Sequence, residues 1–592
     1  YHDYVGTEYR NLEGLYQVEF NRDWNLSEAA GNQLQDVSGV FGDQSLLRTG
    51  VDFFHPEKGQ LGYRFEQLDF KDYASGNRHI LDTDLKLKKL RVQSSGSLMH
   101  NSTGTTRSAF ARLNAKSVYS FNKAWAGAGF QTEDNRQRVT ANDSLTPLSQ
   151  RFNAYRAFFG VGDSTAIFAE AGYTFRVNDS VRNNRLARFN TSDTYYINSR
   201  LVAGENARLS AYIGFRDFTY EDDAIPDEKS LNSRILYSQT LFSELIRLNS
   251  VYETLSGTLP QQEFTYLEVE PGQGAFTWID YNNNGIQELN EFEPAQFQDQ
   301  ATYIRVLLPN QVFVKTHQQK FSQTLTLDPG KWGSDEGFKK ALSHFYNQTS
   351  YLIDRKVKRE GDNFELNPFA AGAGDNVLGL NQNFRNSLFF NRGRQRYTVS
   401  YTWLFNRAKN LLSIGAQENN VRSQQLQFTH KLNDLWLVNL SGITSDTESL
   451  SENFVNRNYE IRAYALNPKL SYLLNRNSRF SVFYEYENKE NLPGTESLRQ
   501  HRAGISFAYA DTQNISLNGE FNFFRNDFEG NSFSPVGYQL LEGLQPGTNF
   551  TWNVLAQKRI TRFLDLNLSY FGRKANGSRT IHTGSVQLKA YF

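Results

Sequence analysis

Cysteine is absent from the 592 residues and methionine occurs once. The first absence removes thiol catalysis, disulfides and Cys-type zinc sites together. It leaves the compartment open, since an exported protein loses nothing by lacking thiols. No stretch approaches the ~18 consecutive apolar residues of a membrane helix. Thirteen prolines are thinly scattered. No Pro-rich, Ser-rich or charged linker breaks a length that would usually split into domains of ~100–200 residues. Neither charge sign prevails: 63 basic and 63 acidic residues balance, which argues against a nucleic-acid partner or a polybasic membrane-surface binder. Catalytic signatures are missing as well. His2, His55, His79, His100, His317, His344, His430, His501 and His582 are dispersed without a pair at zinc spacing. There is no H-E-x-x-H, no G-x-S-x-G elbow and no Walker loop. No enzyme is expected, although a site assembled across strands would leave no such motif. Tyr1 is not an initiator, so either a signal peptide has been removed or the sequence given starts late.

What the chain has is aromatic side chains. Forty-six Phe, 31 Tyr and 7 Trp make up 14% of it, alongside Gly, Asn, Ser, Thr and Arg, which is strand and turn chemistry. Period-two alternation recurs throughout. Leu564, Leu566, Leu568 and Tyr570 share one face, Asp565, Asn567 and Ser569 the other. Ile515, Leu517, Phe521 and Phe523 oppose Ser516, Asn518, Glu520 and Asn522, and Tyr397, Val399, Tyr401, Trp403 and Phe405 oppose Arg396, Thr398 and Ser400. Ile167, Ala169, Ala171, Tyr173 and Phe175 repeat the pattern, as do Phe480, Val482, Tyr484 and Tyr486. Successive strand side chains point to opposite faces, so each segment has one apolar and one polar face.

A soluble sandwich would also alternate, but two features decide against it. The segments run to about 10–15 residues, beyond the ~5–6 of globular strands and long enough to cross a bilayer at a tilt. Connections alternate in length too. Tight turns fall near 160–164, 204–208, 391–395, 431–434, 475–478, 511–514 and 558–562. Longer polar connections fall at 132–152, 178–192, 221–230, 257–310, 357–384, 408–418, 447–457, 489–497 and 526–545. In hydrocarbon an unpaired backbone group costs several kcal/mol, so a spanning sheet must close on itself. The expected fold is all-β: a transmembrane antiparallel β-barrel of about 24–26 strands, 26 favoured, with short periplasmic turns and long extracellular loops. Residues 1–592 form one barrel domain in this reading, with 257–310 as an extracellular insertion. Residues 1–80 fit the strand pattern least cleanly.

The final segment places Val586, Leu588, Ala590 and Phe592 on one face and Gln587 and Lys589 on the other. Here the chain resembles large Gram-negative outer-membrane β-barrel proteins, whose last strand ends in Phe. That resemblance implies an outer-membrane location and contact with outer-membrane lipid and lipopolysaccharide. It also implies reading of the strand ending in Phe592 by the barrel assembly machinery. The aromatic- and Asn-rich style with large insertions looks like the big barrels of Bacteroidota.

Within the insertion, "DYNNNGIQELNE" carries the oxygen spacing of a calcium loop. Calcium takes six to eight oxygen ligands at ~2.3–2.6 Å, from loop positions 1, 3, 5, 7, 9 and 12. These are Asp280, Asn282, Asn284, the Ile286 carbonyl, Glu288 and Glu291, with Gly285 where the chain must turn sharply. Gln287 stands where an EF-hand packs an apolar residue, and no amphipathic helices flank the loop. The loop is similar to those of B-type repeat domains of bacterial surface adhesins, with Glu288 in place of an Asp. The alternative is a polar Asn-Gly turn that matches by chance. With three carboxylates, the expected Ca2+ site is structural rather than switching.

Lys589, Asp565, Glu520, Glu485, Glu487, Arg396, Glu170 and Arg176 all face away from the apolar set. They would line a hydrated lumen, or pair with one another across strands. Trp403, Trp436, Trp552 and Tyr570 read better as an interfacial girdle than as ligand platforms. The leading functional expectation is a transport or export conduit for polar cargo. The alternative is a structural subunit, its lumen plugged, within a multiprotein outer-membrane or cell-surface complex. The third, a barrel enzyme, is the least supported.

Overall fold

The computed structural model describes residues 2–12, 24, 40–71, 73–225, 227–334, 336–359, 361, 363–370, 376–393, 396–412, 415–511, 515–561 and 563–590. The fold is all-β. Twenty-eight strands occur among the described residues, and two of them, Phe276–Trp278 and Phe292–Pro294, have only three residues each. The other twenty-six are long, in line with the favoured count. Every described pairing is antiparallel, with hairpin neighbours in succession. Strand Ser478–Asn491, for example, has 14 residues, about 46 Å at ~3.3 Å per residue.

The chain divides into two compact units, Tyr1–Leu236 and Tyr237–Phe592. In the first, strands His2–Leu12 through Ala207–Tyr220 pair in sequence order. Its polar face holds ion pairs between neighbouring strands. Glu66 accepts from Arg78 and lies 3.4 Å from Arg48. Glu170 meets Arg156 at 3.2 Å and the Trp125 indole N–H at 2.9 Å. Trp24 packs against Leu68, Ala74 and Met99, with the Arg78 guanidinium 4.9 Å over its ring.

In the second unit Ile246–Glu268 pairs with Tyr303–Leu327. The ladder then continues strand by strand to Ile581–Ala590. One face of this sheet is apolar and, among the described residues, uncovered by protein. Leu470, Val482, Ile505, Phe521 and Trp552 are cross-strand neighbours in one row, and Val482 and Ile505 are 49% and 46% exposed. The whole chain exposes 35304 Å², whereas a soluble monomer of this mass exposes about 21,000 Å².

Several boundaries differ from the sequence reading. Residues 178–192 are strand on both sides of a two-residue turn: Arg182 pairs with Arg185, and Asn183 and Asn184 take φ of 50° and 60°. Segment 408–418 is likewise strand as far as the Leu412–Gly415 pair. The hairpin carrying the insertion is paired up to Glu268 and Tyr303, which leaves 269–302 as the insertion proper. In 178–192 both faces are largely polar, so the period-two signal fades while the backbone ladder continues. Arg396 is a further correction: it sits in the turn before Tyr397–Leu412 rather than in the strand, its carbonyl accepting from Lys431 N. Phe592, the terminal signal, lies outside the described residues.

Candidate functional site: the docked insertion

The insertion starts from its own loop. Asp280 accepts from Asn284 N at 3.1 Å and Gly285 N at 2.8 Å. Asn282 Oδ1 accepts from Asn284 N at 2.9 Å, and Asn284 Oδ1 from Ile286 N at 2.7 Å. Gly285 adopts φ +72°, a conformation that a Cβ makes costly. Asn282 also donates to Glu288 at 3.0 Å, so four of the six proposed ligand residues gather at one turn. Glu291 closes the loop from the other side, accepting from Trp278 Nε1 at 2.9 Å. Ile286 points its side chain to solvent, 62% exposed. Gln287 donates to the Tyr303 hydroxyl at 2.9 Å and ties the loop to its strand.

The fit to a cation has one observation for it and one against it. Glu291 is buried, and its Oε1 has no hydrogen-bond partner. A buried carboxylate oxygen in that state lacks a counter-charge or donor. Yet no group of three or more His, Asp or Glu side chains gathers as a metal cage among the described residues. The oxygens accepting backbone N–H groups at the turn each keep a lone pair, and the donor set is all oxygen, which suits a hard cation.

Beyond the loop, the insertion is fastened to two short helices and a connection far along the chain, and to one strand at Arg573. Arg457 donates to the Asn290 carbonyl at 3.3 Å, the Phe292 carbonyl at 3.1 Å and Glu293 at 2.8 Å. The Tyr538 hydroxyl, on the short helix Pro535–Leu541, meets Pro294 O and Gln296 N at 3.3 Å each. Arg573 donates to Asp299 at 2.7 Å and lies 4.1 Å over the Phe297 ring. Tyr281 packs edge-on against Phe533 at 5.6 Å. None of these partners was legible beforehand, because sequence spacing carries no information about contacts of such long range.

Glu293 lies at the centre of the latch and is 1% exposed. Burial pushes its carboxyl above the usual range, and Arg457 opposes the shift. The Tyr281 hydroxyl beside it is pushed up by burial and then by the Glu293 charge. The sign follows from linkage: a carboxyl raised in the docked state binds its proton more tightly when docked. Docking therefore gains stability as pH falls and loses it as pH rises through the docked value. Limited proteolysis within 269–302, run in chelator between about pH 8 and pH 5, is expected to slow at the acid end.

Between the insertion and the strands lies a cavity of about 450 Å³, lined by Phe297, Asp299, Glu485, Glu487, Arg502 and Arg573 among others. The charges that the sequence placed on the polar face are largely paired here. Arg502 bonds Glu520 at 2.9 Å and lies 3.5 Å from Glu485, and Lys489 bridges Glu487 at 3.0 Å and Glu542 at 2.6 Å. Asp565 lies 3.6 Å from Arg559 and is paired with Lys589 in the ladder. In the first unit Arg176 bonds Asn178 at 2.7 Å and lies 3.7 Å over Phe152. On the apolar face, Trp403 meets Phe384 at 5.0 Å, Trp436 meets Tyr472 at 4.9 Å, and Trp552 lies 5.7 Å from His582. Tyr570 bonds His582 at 2.7 Å.

No protein-family model and no curated protein matches the chain. Solved structures do. The ferric preacinetobactin receptor BauA of Acinetobacter baumannii is 9% identical, with 90% of this chain and 85% of that one covered at a TM-score of 0.31. The ferric enterobactin receptor PfeA of Pseudomonas aeruginosa is 9% identical over 87% and 79%, at 0.32. The copper transporter OprC is 9% identical over 90% and 84%, at 0.30. At this overlap the likeness carries neither a ligand nor a residue's role to this chain.

Proposed function

We propose that the chain is an outer-membrane β-barrel of a Gram-negative bacterium, serving as a gated transport conduit with the 269–302 insertion as its gate. The observation that carries this reading is the two-faced sheet: an apolar row left bare on one side, and a polar face crossed by a latched insertion on the other. A bare belt of this kind suits lipid, and a polar face suits a hydrated passage. Trp403, Trp436, Trp552 and Tyr570 act as the interfacial girdle. Calcium completes the insertion, held by Asp280, Asn282, Asn284, the Ile286 carbonyl, Glu288 and Glu291. Its role is structural, because a bound ion offsets part of the ordering entropy of an exposed loop. Outer-membrane lipid and lipopolysaccharide cover the apolar face, and assembly machinery engages the strand ending at Phe592.

The test is conductance of the full chain in planar bilayers. In calcium the channel is expected to be nearly silent. Chelation with EGTA, or Glu291→Gln in the presence of calcium, is expected to raise open probability at least tenfold. Conductance indifferent to calcium sinks the calcium gate. Silence under every condition, with proteins co-purifying from native membranes, favours the second reading. That reading is a scaffold subunit with a plugged lumen, and what favours it is how many separate elements hold the insertion down.

A further inference from the structure

The docked insertion also roofs a second cavity, of about 320 Å³, within the ~300–1,000 Å³ range of small-molecule sites. Its rings come from three places. Phe264 and Tyr266 stand on the hairpin, Phe276 and Phe292 on the insertion, and Phe454 and Tyr459 on the opposite wall. The rings on the hairpin side hold one another in place. Tyr266 stacks on Phe292 at 4.0 Å and meets Phe276 edge-on at 5.1 Å and Phe264 at 5.7 Å. The apolar lining is thus formed before any ligand arrives.

The charge is less settled. Arg305 lines the cavity with its guanidinium 5.3 Å over Phe264 and 5.9 Å from Phe276. Among the described residues no carboxylate pairs with it. The other lining cation, Arg457, is already engaged by Glu293, the only lining carboxylate among the described residues. One positive charge is therefore left over, on a planar group whose N–H fork matches a carboxylate. Ser451 also lines the cavity, and its buried hydroxyl has no hydrogen-bond partner. A preformed aromatic lining, a surplus guanidinium and an unused hydroxyl describe a ligand with an apolar body and an anionic head. The same lining would repel an organic cation.

We propose that this cavity binds an amphipathic carboxylate, its apolar body among the rings of Tyr266, Phe276 and Phe292 and its head on Arg305, with Ser451 as a further donor. The inference goes beyond the transport reading. Binding is read without any current, so a chain that conducts but ignores such ligands overturns this inference alone.

The test uses two probes with the same body and opposite charge, 4-phenylbutyrate and 4-phenylbutylamine, titrated calorimetrically into the detergent-solubilised full chain. Phenylbutyrate is expected to bind saturably at one site, and the amine at least tenfold more weakly. Arg305→Gln is expected to lower phenylbutyrate affinity at least tenfold with an unchanged unfolding midpoint, and Arg305→Lys to recover part of it. No saturable heat from phenylbutyrate, equal binding of the amine, or unchanged affinity in Arg305→Gln each overturns the proposal. Should Arg305→Gln fail to fold, the preference between the two probes on the unaltered chain decides the matter.

Discussion

Arg457→Met is expected to unfasten the insertion and bring the reconstituted chain from near silence to steady conductance, even in saturating calcium. The physics is the asymmetry of buried pairs. Removing one partner leaves the other charge buried without compensation, which costs about 3–5 kcal/mol, whereas replacing both by apolar groups is often nearly neutral. Glu293 is buried, and Arg457 is its ion-pair partner at 2.8 Å. Arg457 also holds two backbone carbonyls of the insertion. At about 1.4 kcal/mol per decade, a loss of this size shifts the docking equilibrium by roughly 10² to several 10³. Part of the shift is recovered by protonating the stranded Glu293. The double variant Arg457→Met with Glu293→Leu is expected to be far milder than the single one. Cleavage rates within 269–302 should rise in step with conductance. A single variant as silent and as protease-resistant as the parent would remove the latch from the account.

The second large effect concerns the bare face. Ile505→Arg is expected to cost about 2–4 kcal/mol of folded stability in lipid if the residue lies near the bilayer midplane. Ser506→Arg, one residue along and pointing to the polar face, should cost much less. Both sites are in the same strand, Ser497–Asp511, so their place in the backbone ladder is matched, and the loss of a β-branched residue in Ile505→Arg adds at most about 1 kcal/mol. The surroundings of the introduced arginine make the larger difference: Ile505 is flanked by Val482 and Phe521, and Ser506 by Ser481 and Glu520. The folded fraction, followed in urea by the mobility of unboiled samples, measures the difference. Equal costs at the two positions would mean that no lipid covers the Ile505 face.

Strand number and face assignment were legible because alternation is a local signal. Leu566, Leu568 and Tyr570 announce their side of the sheet within five residues. Strand ends were not legible wherever the apolar belt stops. In 178–192, polar residues on both faces look like a loop, yet the Asn183–Asn184 pair makes a two-residue hairpin of it. The turn at 280–291 was equally plain, since its oxygen-bearing side chains and the turning Gly285 lie within twelve residues. What fastens that loop was not. Nothing about Arg457, Tyr538 or Arg573 in isolation distinguishes them from the chain's many other Arg and Tyr residues. Their role exists only once distant strands stand side by side.

The separations along the chain set an order of events. Arg457 reaches Glu293 across 164 residues, and Arg573 reaches Asp299 across 274. Contacts so far apart in sequence form late, because loop-closure entropy must be overcome before they contribute anything. The insertion is synthesised long before the residues that fasten it, so the latch can close only after the C-terminal strands have taken their places. A chain stalled without those strands would keep the insertion loose, and exposure of 269–302 to protease would then mark unfinished assembly as clearly as it marks an open gate.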